Sequence, residues 1–167
     1  ETASDIIVSD GRGLVSQGHL ELLGLIEQID HEELQPEVHL SLNQLMGDIL
    51  ALMGRLDDAE AMLHQAFDDA TKQSSLLLQA EILSSLADVS RKQGNSDVAL
   101  SRHRDALKRY IELGNAKWAA RTYNNIGYLL RRKNERNKAL EAYREVEVIL
   151  SESGDDELLN SQITLAR

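Results

Sequence analysis

Apolar side chains recur at helical spacing along this chain, as in Leu42, Met46, Ile49, Leu50 and Met53, then Ile82, Leu83, Leu86 and Val89, then Tyr123, Ile126, Leu129 and Leu130. Each run stops at Gly54, Gly94 or Asn134, residue types that tolerate the left-handed backbone found where helices end. A second amphipathic run follows each stop, carrying Ala59, Leu63, Ala66 and Phe67, then Ala99, Ala106 and Leu107, then Ala139, Leu140 and Tyr143. The whole pattern returns after 40 residues: Met46-Gly47 becomes Leu86-Ala87 and then Ile126-Gly127, while Leu63 becomes His103 and then Tyr143. A two-helix hairpin cannot bury its apolar stripe alone, so the period predicts hairpins stacked side by side. Small residues at Gly47, Ala87 and Gly127, and at Ala59, Ala99 and Ala139, give the helices of each hairpin room to approach closely.

The spacing predicts helices over 36–53, 56–73, 76–93, 96–113, 116–133, 136–152 and 156–167, which group into full hairpins at 36–73, 76–113 and 116–152. Gly114 and Gly154 extend the series of helix-ending glycines, and Ser74 holds the equivalent place in the first full hairpin. Residues 5–31 read as an earlier, degenerate hairpin, because Gly18 stands 36 rather than 40 residues before Gly54, and Asp30 takes the place of Ala66, Ala106 and Val146. The sequence stops inside a new first helix, 156–167, whose Leu158, Leu159, Ile163 and Leu165 lack a partner hairpin. The expectation is therefore one repeat domain cut from a larger protein.

This pattern resembles the tetratricopeptide repeat over residues 40–167, with the small and glycine positions carried by Gly47, Gly54, Ala59 and Ala66 and their equivalents. The resemblance implies an all-α, right-handed superhelical solenoid of antiparallel helix hairpins acting as a protein-protein interaction scaffold. Two departures matter. The aromatic near the start of the family's first helix is Asn43, Leu83 or Tyr123 here, and its helix-ending proline is replaced by Thr71, Ile111 and Ser151. Without proline the second helix can run on, which accounts for a period of 40 against the family's roughly 34. The long period is similar to that of cell-polarity scaffolds of the Pins type, and to the repeat regions of signal-transduction ATPases and bacterial transcription activators.

Charge changes the picture by its placement. The net charge is −10, yet residues 91–144 hold 14 Lys or Arg against 5 acids, while residues 1–90 hold 3 against 17. The chain is an acidic rod with a basic waist. In the family the first helices line the concave face, which maps groove positions onto Ser41, Gln44 and Asp48, then Glu81, Ser84, Asp88, Arg91 and Lys92, then Arg121, Asn124, Tyr128, Arg131 and Arg132. The last five share one helix face, apart from Tyr123, Ile126 and Leu130. Arg91, Lys92, Arg121, Asn124, Tyr128, Arg131 and Arg132 are accordingly the candidate partner-binding residues, suited to an acidic peptide or a chain terminus. The competing reading makes Arg91-Lys92 and Arg131-Arg132-Lys133 solvated last turns that complement helix dipoles.

Other chemistry finds less support. The carboxylate clamp of the family wants cationic or amide contacts where Gln44 and Ser84 stand. Five of the six aromatics, Tyr110, Trp118, Tyr123, Tyr128 and Tyr143, fall in the basic waist, but two occupy core positions, and a charge of −10 opposes nucleic acid. No catalytic, metal-binding or cofactor-binding motif emerges: the five histidines form no paired ligand set, Gly11-Arg12-Gly13 lacks a third glycine, and there are no cysteines. Hence no enzyme activity and no cofactor are expected. No run is long enough to span a membrane, and a cytoplasmic setting is expected. Two further readings remain: self-association as a homodimer through the open repeat at 156–167, and effector sensing for an attached transcription regulator or ATPase.

Overall fold

In the computed structural model, residues 6–8, 14–29 and 34–153 are described. Two three-residue strands, β1 (Ile6–Val8) and β2 (Leu14–Ser16), pair antiparallel with Ile6 opposite Ser16 and Val8 opposite Leu14. Seven helices follow among the described residues: α1 (Gln17–Glu27), α2 (Pro36–Leu52), α3 (Leu56–Lys72), α4 (Leu76–Lys92), α5 (Ser96–Glu112), α6 (Ala116–Arg132) and α7 (Arg136–Ser153). The architecture is an all-α solenoid in which α2–α3, α4–α5 and α6–α7 are antiparallel hairpins. The helix pair expected within 5–31 is replaced by a strand pair and a single helix. The β-branched run Ile6-Ile7-Val8 favours a pleated strand over a helix. The expected helix over 156–167, and with it the homodimer surface, lies outside the described residues.

The helices α2 to α6 each contain 17 residues and begin 20 residues apart, so the two helices of a hairpin share the long period equally. Thr71, Ile111 and Ser151, where the family has proline, all lie within helices. Each hairpin turns through a left-handed residue, at Gly54, Gly94 and Asn134, and so does each connection between hairpins, at Ser74 and Gly114. The following N–H then reaches back to a carbonyl five residues earlier, as from Asn95 to Ser90 at 2.8 Å and from Glu135 to Leu130 at 2.9 Å. That bond closes the helix end.

Packing explains the small residues at the hairpin crossings. A Cβ added to Gly47 would lie 2.6 Å from Leu63 Cγ, and one added to Gly127 would lie 2.5 Å from Tyr143 Cε1. Where Ala87 takes the glycine position, the opposing repeat position is His103, and its imidazole is buried. Core residues run from Leu40, Leu63 and Leu86 through Ala106, Tyr110 and Leu129 to Val146 and Leu150, one ladder along the stack.

Candidate functional site

The first helices α2, α4 and α6 lie side by side and share a face with a cleft of about 330 Å³. Its wall on α2 and α4 is polar and acidic, formed by Gln44, Asp48, Glu81, Ser84 and Asp88. The opposite wall is aromatic, with Trp118 and Arg121 on α6, and Tyr110 reaching in from α5. Tyr110 and Trp118 stack at 5.9 Å between centroids and 16° between planes, and the Arg121 guanidinium lies 4.8 Å from the Trp118 ring centre. Three side chains from two successive helices thus make a stacked wall.

Electrostatics in the cleft are uneven. Burial pushes the Asp48 carboxyl above its usual range, and Asp88 adds to the rise, against a hydrogen bond from Ser85. Glu81 is raised as well, by burial first and then by the charge of Asp48. Among the described residues, neither carboxylate forms an ion pair, whereas Asp88 meets Arg91 at 3.2 Å. The Tyr110 hydroxyl is buried and meets no hydrogen-bond partner within bonding geometry among the described residues. Ser84 is close enough to influence the phenol but donates its own proton to the Ala80 carbonyl at 3.1 Å.

The cationic residues singled out from sequence divide into three kinds. Lys92 donates to the Ala51 carbonyl in the last turn of α2, at 2.7 Å, so it ties one first helix to the end of its neighbour. Arg91 is held by Asp88. Arg121, Arg131 and Arg132 are exposed and make no ion pair among the described residues; the last two lie 5.8 and 6.0 Å from the ring centre of Tyr128. Asn124 is half-buried on the same helix. Of the seven residues, only Arg121 lines the cleft.

Sequence reasoning placed Asp48, Glu81 and Asp88 on the groove but did not count them among the partner-binding residues, although Asp48 and Asp88 stand one period apart and therefore side by side on adjacent first helices. Tyr110 was also recoverable: its equivalents are Ala70 and Leu150, so a phenol enters where the neighbouring hairpins hold purely apolar side chains. Among the described residues no group of three or more acidic or histidine side chains could hold a metal ion, and no helix is long and apolar enough to cross a membrane.

Stacked antiparallel hairpins with a cleft across the first helices define a helical-repeat scaffold. The sequence matches the tetratricopeptide repeat model over residues 37–112 and 78–152, and the chain belongs to that family. Such repeats generally mediate contacts between proteins. Among solved structures, the fold is similar to that of BtubC (BKLC) from P. vanneervenii, with a TM-score of 0.57 and 16% identity, covering 89% of this chain and 68% of that one. No curated protein sequence matches.

Proposed function

We propose that the face formed by α2, α4 and α6 binds an extended segment of a partner protein, with acidic groups of that segment meeting Arg121, Arg131 and Arg132. The observation that carries this reading is the state of those three guanidinium groups. They are exposed, unpaired with carboxylates among the described residues, and placed beside aromatic rings on one helix. A guanidinium stacked on a ring keeps its planar donors free for a carboxylate, while its orientation is already restricted. Tyr128, exposed between them, adds amphipathic contact area of the kind favoured at interface centres. Arg91 and Lys92 border this surface but are already engaged within the chain, so they contribute to its field rather than to direct contact.

Selection from a displayed library of random 12-residue peptides tests the proposal. Enrichment of acidic residues is expected, with affinity falling by at least about tenfold in the double variant Arg121→Glu, Arg132→Glu. Selected peptides that bind the variant as well as the parent chain would remove this surface from consideration.

A further inference from the structure

The deepest part of the same face has the opposite chemistry from its α6 rim. We infer that the cleft between α2, α4 and α6 receives a positively charged side chain, an arginine or a lysine, from the partner segment. The inference rests on the reading of this face as a peptide groove and names a second determinant within it.

Three carboxylates line the cleft against one guanidinium, that of Arg121 beside Trp118, so the lining is net negative. Asp88 is satisfied by Arg91, which leaves Asp48 and Glu81 half-buried, mutually repelling and without an ion pair among the described residues; Lys92 offsets the charge of Asp48 only from a distance, its ammonium being held by the Ala51 carbonyl. Such a pair gains from any cation that enters between them. The Tyr110 hydroxyl supplies an independent sign. It belongs to a fully buried side chain lining the cleft and, with the Ser84 proton donated to the Ala80 carbonyl, receives no donor among the described residues, so its lone pairs are open to an incoming N–H.

The occupant's class follows from what surrounds those groups. A bare metal ion is disfavoured, because the carboxylates do not come together as a ligand set. A long basic side chain matches both walls: its methylene stem can lie along Trp118 and Tyr110 while its head meets Asp48, Glu81 and the phenol. The partner segment would then carry a basic residue for the cleft and acidic residues toward the C-terminal turns of α6.

Trp118 is the chain's sole tryptophan and lines the cleft, so its emission reports occupancy. The probe is the capped tripeptide acetyl-Ala-Arg-Ala-amide, with the lysine analogue and the neutral citrulline analogue titrated beside it at fixed ionic strength. A saturable change is expected with the arginine and lysine peptides, and at least about tenfold weaker binding with citrulline. The double variant Asp48→Asn, Glu81→Gln should lose at least about tenfold in affinity for the arginine peptide, and Tyr110→Phe about threefold or more. Both should retain the parent chain's helical circular dichroism. An equal response to arginine and citrulline, no saturable response to either basic peptide, or unchanged affinity in the carboxylate variant would each overturn the inference. Arg132→Glu should leave this titration intact while weakening the binding of acidic peptides, so failure here and failure of the α6 rim read out separately.

Discussion

The junction of α3, α4 and α5 and the inner face of α2, α4 and α6 use charge in opposite ways. At the junction, Arg102 donates to Glu60 at 2.7 Å, to the Leu86 carbonyl at 3.0 Å and to the Ser90 hydroxyl, while Gln93 donates to the second oxygen of Glu60 at 3.0 Å. Hydrogen bonds from Gln93 and then Arg102 hold the Glu60 carboxyl below its ordinary range. The network is closed, and it joins two hairpins. On the inner face Asp48 and Glu81 are raised by burial, and the α6 arginines rest near rings rather than carboxylates. Charge that is fully partnered inside a chain contributes to holding it together; charge left open on a concave surface is available to something else.

The largest expected effect comes from His103, on the helix that carries Arg102 but influenced by Asp88 and Arg91 of α4. Its ring is buried, both nitrogens lack hydrogen-bond partners among the described residues, and burial lowers its pKa to about 4, with Asp88 opposing the shift and Arg91 adding to it. The unfolded chain binds a proton below the ordinary value of 6.5, whereas the folded chain resists until about 4. Stability should therefore fall as pH drops through this window, by of the order of 3 kcal/mol in total. Urea midpoints at several pH values between 7 and 4 measure the slope, and His103→Leu, which copies Leu63 of the first hairpin, should flatten it. A parallel slope in that variant would assign the acid sensitivity to other groups.

Arg102→Leu should be the next largest. It leaves Glu60 with Gln93 as its remaining hydrogen-bond donor among the described residues and removes the donor to Ser90 and Leu86. The partial exposure of Glu60 limits the cost, so about 2 kcal/mol is expected from the denaturation midpoint. The Glu60 carboxyl should then titrate closer to an ordinary glutamate in an NMR titration, because its stabilisation above the ordinary pKa has been reduced. A cost within about 0.5 kcal/mol would show that the junction charges are as dispensable as surface pairs.

The smallest effect separates the two regions most sharply. A carboxyl whose pKa is raised on folding stabilises the folded chain when protonated and costs stability as pH rises through its folded value. Neutralising Asp48 or Glu81, as Asp48→Asn or Glu81→Gln, should leave stability at pH 7 unchanged or raise it by up to about 1 kcal/mol. A loss of similar size by thermal unfolding would mean that the inner carboxylates hold the fold as the junction does, erasing the contrast.

How far the sequence could be read depended on whether a feature repeats. The helix stops at Gly54, Gly94 and Asn134 and the crossings at Gly47 and Gly127 recur with the period, and each corresponds to a positive-φ turn or a close helix approach. The strand pair at Ile6–Val8 and Leu14–Ser16 lies outside that rhythm, and the helical period was extended into it wrongly. Its local signal, the β-branched run Ile6-Ile7-Val8, was present but belongs to period-two structure. In the candidate site the cationic stripe was visible because its members share one helix. The acidic wall draws Asp48 from one hairpin and Glu81 and Asp88 from the next, and those meet only across the stack.

By itself, the sequence determined the helices, their ends and their stacking, because apolar periodicity and turn residues act over a few positions and repeat until only one packing buries every stripe. Tertiary structure alone decided which charges are spent and which remain open. Arg102 and Arg121 are both arginines of the basic waist, yet one is closed into Glu60 and the backbone of α4, while the other lies over Trp118 at the mouth of an acidic cleft. Pairing, burial and a carboxyl's pKa depend on groups some 40 positions away, brought within a few ångströms by the stack, and no local pattern encodes that distance.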